Sequence, residues 1–407
     1  MLVSDEIEPR RARAVGRAPA GDAQMRSAVS GAPVSPARVG ARRRIARHIG
    51  WIIRHAGWRL RLLEYGWPLV EKELESAVAA PRPARWRMWR LGFLGESRVL
   101  YDLRRNDPAL YLTDHARYVH TRLINGPYAV LLDDKLVFQR ILATRGALLP
   151  ELFGTVAADG GITASRRPMP PARSVRWLHA LARRHGKVVI KPGTGGGGRG
   201  VMVLAAVGPA LYLNGNPLPP GGLADVLEAA PGSMVCEHIA QHPALARLNP
   251  DTTNTLRVLA MQDDLQPPFV AAAVLRIGSR ASAPTDNWTR GGLSAAVNLA
   301  TGRAGRAAAY PADRDALDWR ERHPETGVAI AGMQIPNWPA IVEGLEELMR
   351  ELPMLRYVGW DVVVTRDGFR LLEGNNFSDV NLLQIHAPLL RDDRVAAFYR
   401  RHGAVKP

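Results

Sequence analysis

The chain has 407 residues, 46% of them hydrophobic, which is enough for two or three domains with buried cores. Its formal net charge is +16, but residues 1–107 carry 21 Lys and Arg against 11 Asp and Glu, so the excess is concentrated in the first quarter and gives no indication of a specific nucleic-acid partner. No apolar run approaches the roughly 18 residues that span a bilayer, Met1-Leu2-Val3-Ser4-Asp5-Glu6 is not a secretory leader, and the single cysteine, Cys236, excludes an internal disulfide and a thiolate metal cluster. The expected location is the cytoplasm, with Cys236 as a small buried hydrophobe.

In chain order, residues 1–45 are rich in Ala, Arg, Pro, Gly and Ser and predict a disordered basic tail. Ile45, Ile49, Ile52, Ile53, Leu60 and Leu63 then recur at helical spacing with Arg47, Arg54 and Arg61 on another face, a basic amphipathic helix. Arg85-Trp86-Arg87-Met88-Trp89-Arg90 adds a second basic, aromatic cluster. These segments either pack on the main domain or touch an anionic membrane surface peripherally. Asp133-Asp134-Lys135 predicts a helix start, and Leu149 to Gly154 leads into a strand. A proline-containing connection at Arg167 to Pro171 and an amphipathic helix at Val175 to His185 follow. Residues 208–232 predict a turn-rich excursion, and Met234-Val235-Cys236-Glu237 a strand. Further strands are predicted at Thr255–Met261, Phe269–Ile277, Ala295–Leu299, Val358–Val364 and Phe369–Glu373. The irregular alternation predicts an α+β class with mixed sheets.

Two local patterns carry chemistry. Lys191 and Pro192 close a β-branched run, Gly193, Gly195, Gly196, Gly197, Gly198 and Gly200 follow, and a second apolar run begins at Val201. Glycines let the backbone fold closely over a polyphosphate with its N–H groups aimed inward, and Lys191 supplies a point charge. A dinucleotide fingerprint requires a helix after the glycines, and the Walker loop requires Lys-Ser or Lys-Thr; this chain has a strand and Arg199-Gly200 instead. The second pattern is a hairpin turning at Arg366-Asp367-Gly368, which sets Asp361 beside Glu373 with Asn375 on the same face. Two carboxylates and an amide oxygen suit Mg²⁺ held together with substrate phosphates.

Together these residues resemble the ATP-grasp superfamily, over about residues 125–400. Lys191 resembles its lid lysine and Lys135 its earlier phosphate lysine. The stretch from Met234 to Ala240, with Glu237, His238 and Ala240, resembles the strand that recognises adenine, and Asp361, Glu373 and Asn375 resemble its metal ligands. Within the superfamily the chain is most similar to the sugar-transfer-associated ATP-grasp proteins, through Asn254-Thr255-Leu256-Arg257-Val258, Asp286-Asn287 with Gly291-Gly292-Leu293, Val358-Gly359-Trp360-Asp361 and Leu383-Gln384. The order Arg257, Arg276, Asn287 is also similar to the tubulin-tyrosine-ligase-like branch.

The resemblance implies two α+β subdomains gripping ATP: a lid subdomain at about 155–240 and a metal-binding subdomain at about 241–400, preceded by a helical basic region at 46–124. It implies ATP and Mg²⁺ (one or two ions, or Mn²⁺) as cofactors, and a carboxylate-amine ligase acting through an acyl phosphate in cell-surface polysaccharide or related conjugate synthesis. A kinase of a hydroxyl group and a non-catalytic nucleotide-binding accessory protein are the alternatives. Where several ligases of the superfamily carry an arginine, this chain has Gly359 and Phe377. The developing charge is therefore expected to fall to Arg257 and Arg276, with Arg290 in reserve and Asn287 beside them. The substrate is expected to be small and polar or anionic; Trp288 either stacks on it or packs in the core, and His242 either is structural or reaches the ribose.

Overall fold

The computed structural model describes residues 66–76, 78, 81–312 and 314–406; the tail expected at 1–45 and the amphipathic helix expected at 45–65 lie outside them. A helix at 66–75 and α1 (Arg82–Arg90) come first. Proline in the first turn of α1 removes an N–H that would have no partner there. Met88 is buried, whereas Trp86 and Trp89 are exposed. Asp134 then caps α2 (Lys135–Ile141), its Oδ1 accepting from the N–H groups of Leu136 at 2.8 Å and Val137 at 3.0 Å.

The first sheet has eight strands: β1 (Leu152–Val156), β2 (Ile162–Ala164), β3 (Arg167–Met169), β4 (Lys187–Pro192), β5 (Met202–Val207), β6 (Ala210–Leu213), β7 (Asn216–Pro217) and β8 (Ser233–Glu237). Their spatial order is β3-β2-β1-β8-β4-β5-β6-β7. One face packs on α3 (Pro171–His185) and α4 (Gly222–Glu228), in a core that joins Val188, Ile190, Leu204 and Val235 to Leu178, Ala182 and Leu227. Alternation along the strands leaves Val189, Lys191, Val203 and Cys236 for the other face.

The second sheet has seven strands: β9 (Thr255–Asp263), β10 (Gln266–Ile277), β11 (Leu293–Val297), β12 (Ala304–Ala309), β13 (Asp318–Arg320), β14 (Tyr357–Thr365) and β15 (Gly368–Asn375), in the order β13-β12-β11-β10-β9-β14-β15. α5 (Trp338–Glu351) lays Ile341, Leu345 and Leu348 on one face, against Leu256, Val258 and Val362. Each such fully buried aliphatic side chain contributes about 2 kcal/mol. The opposite face is divided. Leu259, Met261, Val274 and Tyr357 form an apolar core with Leu100, Tyr101 and Leu112 and with Phe398 and Tyr399 of α6 (Asp393–Arg401). Beyond that core the same face turns polar.

The α+β class stands, but the sheets are not mixed: every strand pair in both is antiparallel. Most neighbours are joined directly by turns, and the long connections return β8 beside β4 and β14 beside β9 in the opposing direction. The proline-containing connection at Arg167 to Pro171 includes the strand β3, whose Pro168 is tolerated because β3 is the sheet edge. The excursion at 208–232 contains β6, β7 and α4. Every described residue belongs to one packed unit.

Candidate nucleotide site

The free face of the first sheet and the polar end of the second line one cleft of about 1010 Å³, open to solvent. On the first sheet, Val189 lies opposite Val203 on one side and Cys236 on the other, and all three line the cleft. With Ile239 and Leu372 they make an apolar slot suited to a planar base. Burial pushes the Cys236 thiol pKa up, which keeps it protonated in that slot. Lys191, two residues from Val189 on the same face, is buried, and its Nζ donates to the Leu372 carbonyl at 3.2 Å.

The glycine loop joins β4 to β5. Gly195, Gly197, Gly198 and Gly200 all have positive φ, between 69° and 87°. At two of them space is also closed: a Cβ on Gly198 would meet Thr285 Cγ2 at 2.9 Å, and one on Gly200 would meet Pro192 Cγ at 2.9 Å. The loop is tied to residues from other elements. Lys135 donates its backbone N–H to Gly193 at 2.9 Å and its Nζ to Gly195 at 2.5 Å, and Asn287 Nδ2 donates to Gly197 at 2.7 Å. Lys135 Nζ also stands 3.4 Å from Glu373 Oε2.

The second sheet brings charges into register. Asp361 lies opposite Glu373 on one side and Arg257 on the other, Thr255 lies opposite Arg276, and Gly359 opposite Asn375. Arg257 donates to both oxygens of Asp361, at 2.5 and 3.2 Å, and to the Ser378 carbonyl at 2.5 Å. Arg276 Nη1 donates to Asp361 Oδ2 at 3.0 Å and Nη2 to Asp286 Oδ1. Asp286 also accepts from the N–H of Thr255 at 3.0 Å and its hydroxyl at 2.5 Å. Burial would raise the Asp361 pKa, but Arg257 and Arg276 outweigh it and hold the carboxyl below the usual range. For Arg276, burial opposes the charge while Asp286 and Asp361 more than restore it, so its pKa rises.

The donor set can accept a divalent cation. Asp361 spends three of about four lone-pair positions on guanidinium N–H groups, leaving about one, whereas Glu373 keeps most of its own. Asn375 does not itself line the cleft; it donates Nδ2 to the Gly359 carbonyl at 3.0 Å, which leaves its Oδ1 as an acceptor. Among the described residues no third His, Cys, Asp or Glu joins this pair, so remaining ligands would come from phosphate or water.

Lys135, Lys191, Gly195, Gly196, Gly198, Glu237, His238, Arg276, Asn287, Asp361 and Glu373 thus line the cleft. Glu237 is held from outside, its Oε2 accepting from Arg370 Nη2 at 2.8 Å and from the Glu151 N–H at 3.0 Å. Burial and Lys187 push the His238 imidazole pKa below its usual value. Gly197 reaches the site through its carbonyl bond to Asn287, and Arg257 stands behind Asp361.

Two expectations are corrected, and two open alternatives are decided. Ala240 and Arg290 are exposed and do not line the cleft. Trp288 is buried against Tyr310 with its Nε1 donating to the Ala308 carbonyl at 2.8 Å, so it packs and does not stack on a substrate. His242 accepts from the Ala244 N–H at 3.1 Å, caps a short helix and does not line the cleft. Sequence reasoning missed the apolar slot, legible only as the alternation at Val189, Val201 and Val203, and Arg199, marked only by its flanking glycines.

A glycine lid from one antiparallel sheet, facing a carboxylate pair on a second, is the ATP-grasp arrangement. The chain belongs to the sugar-transfer associated ATP-grasp family, whose description matches residues 116–394. No curated protein matches it. Among solved structures it is similar to the ATP-grasp ligase PsnB complexed with minimal precursor, at 18% identity over 67% of this chain and 63% of that one, with a TM-score of 0.33. A RimK domain ATP-grasp protein from Sphaerobacter thermophilus matches at 13% identity, over 66% and 68%, with a TM-score of 0.36. D-alanyl-alanine synthetase A from Vibrio cholerae matches at 11% identity, over 67% of each chain, with a TM-score of 0.40. The chain spans less than two thirds of the length of the first of these.

Proposed function

We propose that this chain is an ADP-forming carboxylate-amine ligase that uses ATP and Mg²⁺, and that it acts in the synthesis of a cell-surface polysaccharide or related conjugate. One observation carries this reading: separate segments deliver Lys135, Lys191, the glycine loop and the facing pair Asp361 and Glu373 to a single cleft. The family description, sugar-transfer associated, supports the polysaccharide context.

In this reading the apolar slot holds adenine, and Lys135 and Lys191 bind the phosphates from two sides. Arg276 uses two of its five N–H groups on Asp361 and Asp286, and the remaining donors orient the substrate carboxylate. A carboxylate oxygen attacks the γ-phosphorus, the new O–P bond forming as the bond to the β-phosphate oxygen breaks and ADP leaves. An amine then attacks the acyl carbon, phosphate departs, and the nitrogen gives up its surplus proton as the amide forms. Glu373, Asp361 and Asn375 would hold the divalent cation, which when bound offsets the charge on the β- and γ-phosphates. The glycine loop excludes water that would hydrolyse the acyl phosphate.

No helix among the described residues is long and apolar enough to cross a membrane. Peripheral contact with an anionic membrane from the cytoplasmic side is part of the proposal, supported by α1, whose exposed positions include Arg82, Trp86, Arg87, Trp89 and Arg90 and no acid.

The test is ADP release from Mg-ATP against a panel of amino acids and uronic acids. Amine-dependent release with an amide product supports the ligase. A phosphorylated alcohol would make the protein a kinase, and tight ATP binding without turnover would make it an accessory protein.

A further inference from the structure

The reaction proposed above concentrates negative charge on the phosphoryl group in flight, and the cleft must supply a cation that meets it. The two positions from which related ligases supply an arginine are closed in this fold. A Cβ on Gly359 would meet Ser378 Cβ at 2.8 Å, so no side chain fits there. Phe377 is packed, with Tyr118 at 5.0 Å between ring centroids and the Arg122 guanidinium 4.4 Å from its ring centre.

The sheet arginines are engaged as well. Arg257 is buried and spends three donors on Asp361 and Ser378. Arg276 lines the cleft but lies between Asp361 and Asp286, so two carboxylates balance its charge. Lys135 is paired with Glu373, and Lys191 is buried in the cleft wall with its Nζ donating to the Leu372 carbonyl.

Arg199 differs from all of these. It lines the same cleft, is exposed, and forms no ion pair or hydrogen bond with any described residue. It sits between Gly198 and Gly200, both with positive φ, at the end of the lid beyond the carbonyls that Lys135 and Asn287 hold. The anchored part of the loop, with Gly198 and Gly200 set close against Thr285 and Pro192, fixes the approach, and the long unpaired side chain of Arg199 is what can turn inward. A guanidinium is planar, permanently charged and able to grip two phosphate oxygens at once.

We propose that Arg199 is a catalytic residue carried by the lid, which closes on the γ-phosphate of ATP and neutralises the charge that develops as the phosphoryl group passes to the acceptor. Charge neutralisation then depends on lid closure, so the fully electropositive site exists only when water is excluded. The inference rests on the nucleotide reading of the cleft and adds to it the residue that senses the third phosphate.

The test compares ADP with the β,γ-imido analogue of ATP, each titrated calorimetrically with Mg²⁺ into the full chain and into Arg199→Ala. A charge-assisted contact to the γ-phosphate predicts that the variant loses about tenfold in affinity for the analogue while its affinity for ADP stays within about twofold. Equal losses for both nucleotides, or no loss for either, would overturn the assignment to the γ-phosphate. A wild-type chain that binds neither nucleotide would instead overturn the nucleotide reading itself, and this inference with it. Matching thermal melting curves show that the exposed substitution leaves the fold intact.

Discussion

Asn287 reaches across 90 residues of chain to donate its Nδ2 proton to the carbonyl of Gly197, at 2.7 Å, while its own Oδ1 accepts from the Thr289 hydroxyl at 2.8 Å. A loop of the second sheet therefore holds the glycine lid of the first. Asn287→Ala removes a bond worth about 1 kcal/mol, so nucleotide dissociation should speed up by about fivefold. Stopped-flow displacement of a fluorescent ATP analogue measures this, and an unchanged off-rate would mean that the bond does not restrain the lid.

Asp361 is the counter-ion of two guanidiniums, and its loss strands both of them. Asp361→Ala should destabilise the fold by about 3 to 5 kcal/mol. Because the folded pKa is depressed, the stabilisation is present above the unfolded value of about 3.9 and is lost as pH falls below it through the folded value. Urea titrations at pH 7 and at successive steps below pH 4 should show the wild type losing this increment. The variant should show no matching loss.

Lys191→Ala should weaken ATP binding by at least about tenfold, since it removes a buried cation from the cleft. Glu373→Gln should instead remove the Mg²⁺ dependence of ATP binding and leave metal-free affinity nearly unchanged. Titrations with and without Mg²⁺ separate the two roles. A variant at Glu373 that still responds fully to Mg²⁺ would rule that residue out as a metal ligand.

His386 sits beside Ser294, its Nε2 3.1 Å from the hydroxyl, and burial pushes its pKa down to about 4. The unfolded imidazole titrates near 6.5, so the unfolded chain binds more protons between those values. This contribution is fully present above about pH 6.5 and falls away toward pH 4, by about 3 kcal/mol in all. His386→Gln should flatten that part of the stability profile, read as denaturant midpoints between pH 4 and 7.

The exposed face of α1 should bring the full chain down with vesicles containing about a third phosphatidylglycerol and not with purely phosphatidylcholine vesicles. Replacing Trp86 and Trp89 with Ala should reduce the bound fraction severalfold and leave ATP affinity unchanged. Undiminished sedimentation would show that α1 is not the contact.

Some of this was legible in the sequence because it is local. Asp361 and Glu373 meet through a hairpin whose Asp-Gly turn lies within a few residues of both, and Lys191 belongs to the same short run as its glycines. What could not be read depends on partners far along the chain. Nothing near Arg257 or Arg276 signals that both will be spent on Asp361, 104 and 85 residues away. Trp288 reads as an available aromatic until Ala308 and Tyr310 are folded against it. The strands β2, β3 and β13 are only three residues each, too short to show a period, and β12 is largely alanine, which carries little strand preference.

Cys236 is the only cysteine in the chain, and it lies in the wall of the cleft where a nucleotide base would rest. A thiol reagent can therefore attach at one place alone, and only when that wall is uncovered. Its labelling rate is a clock for how often the cleft opens, and a ligand seated against the wall would slow it without any tag having been added.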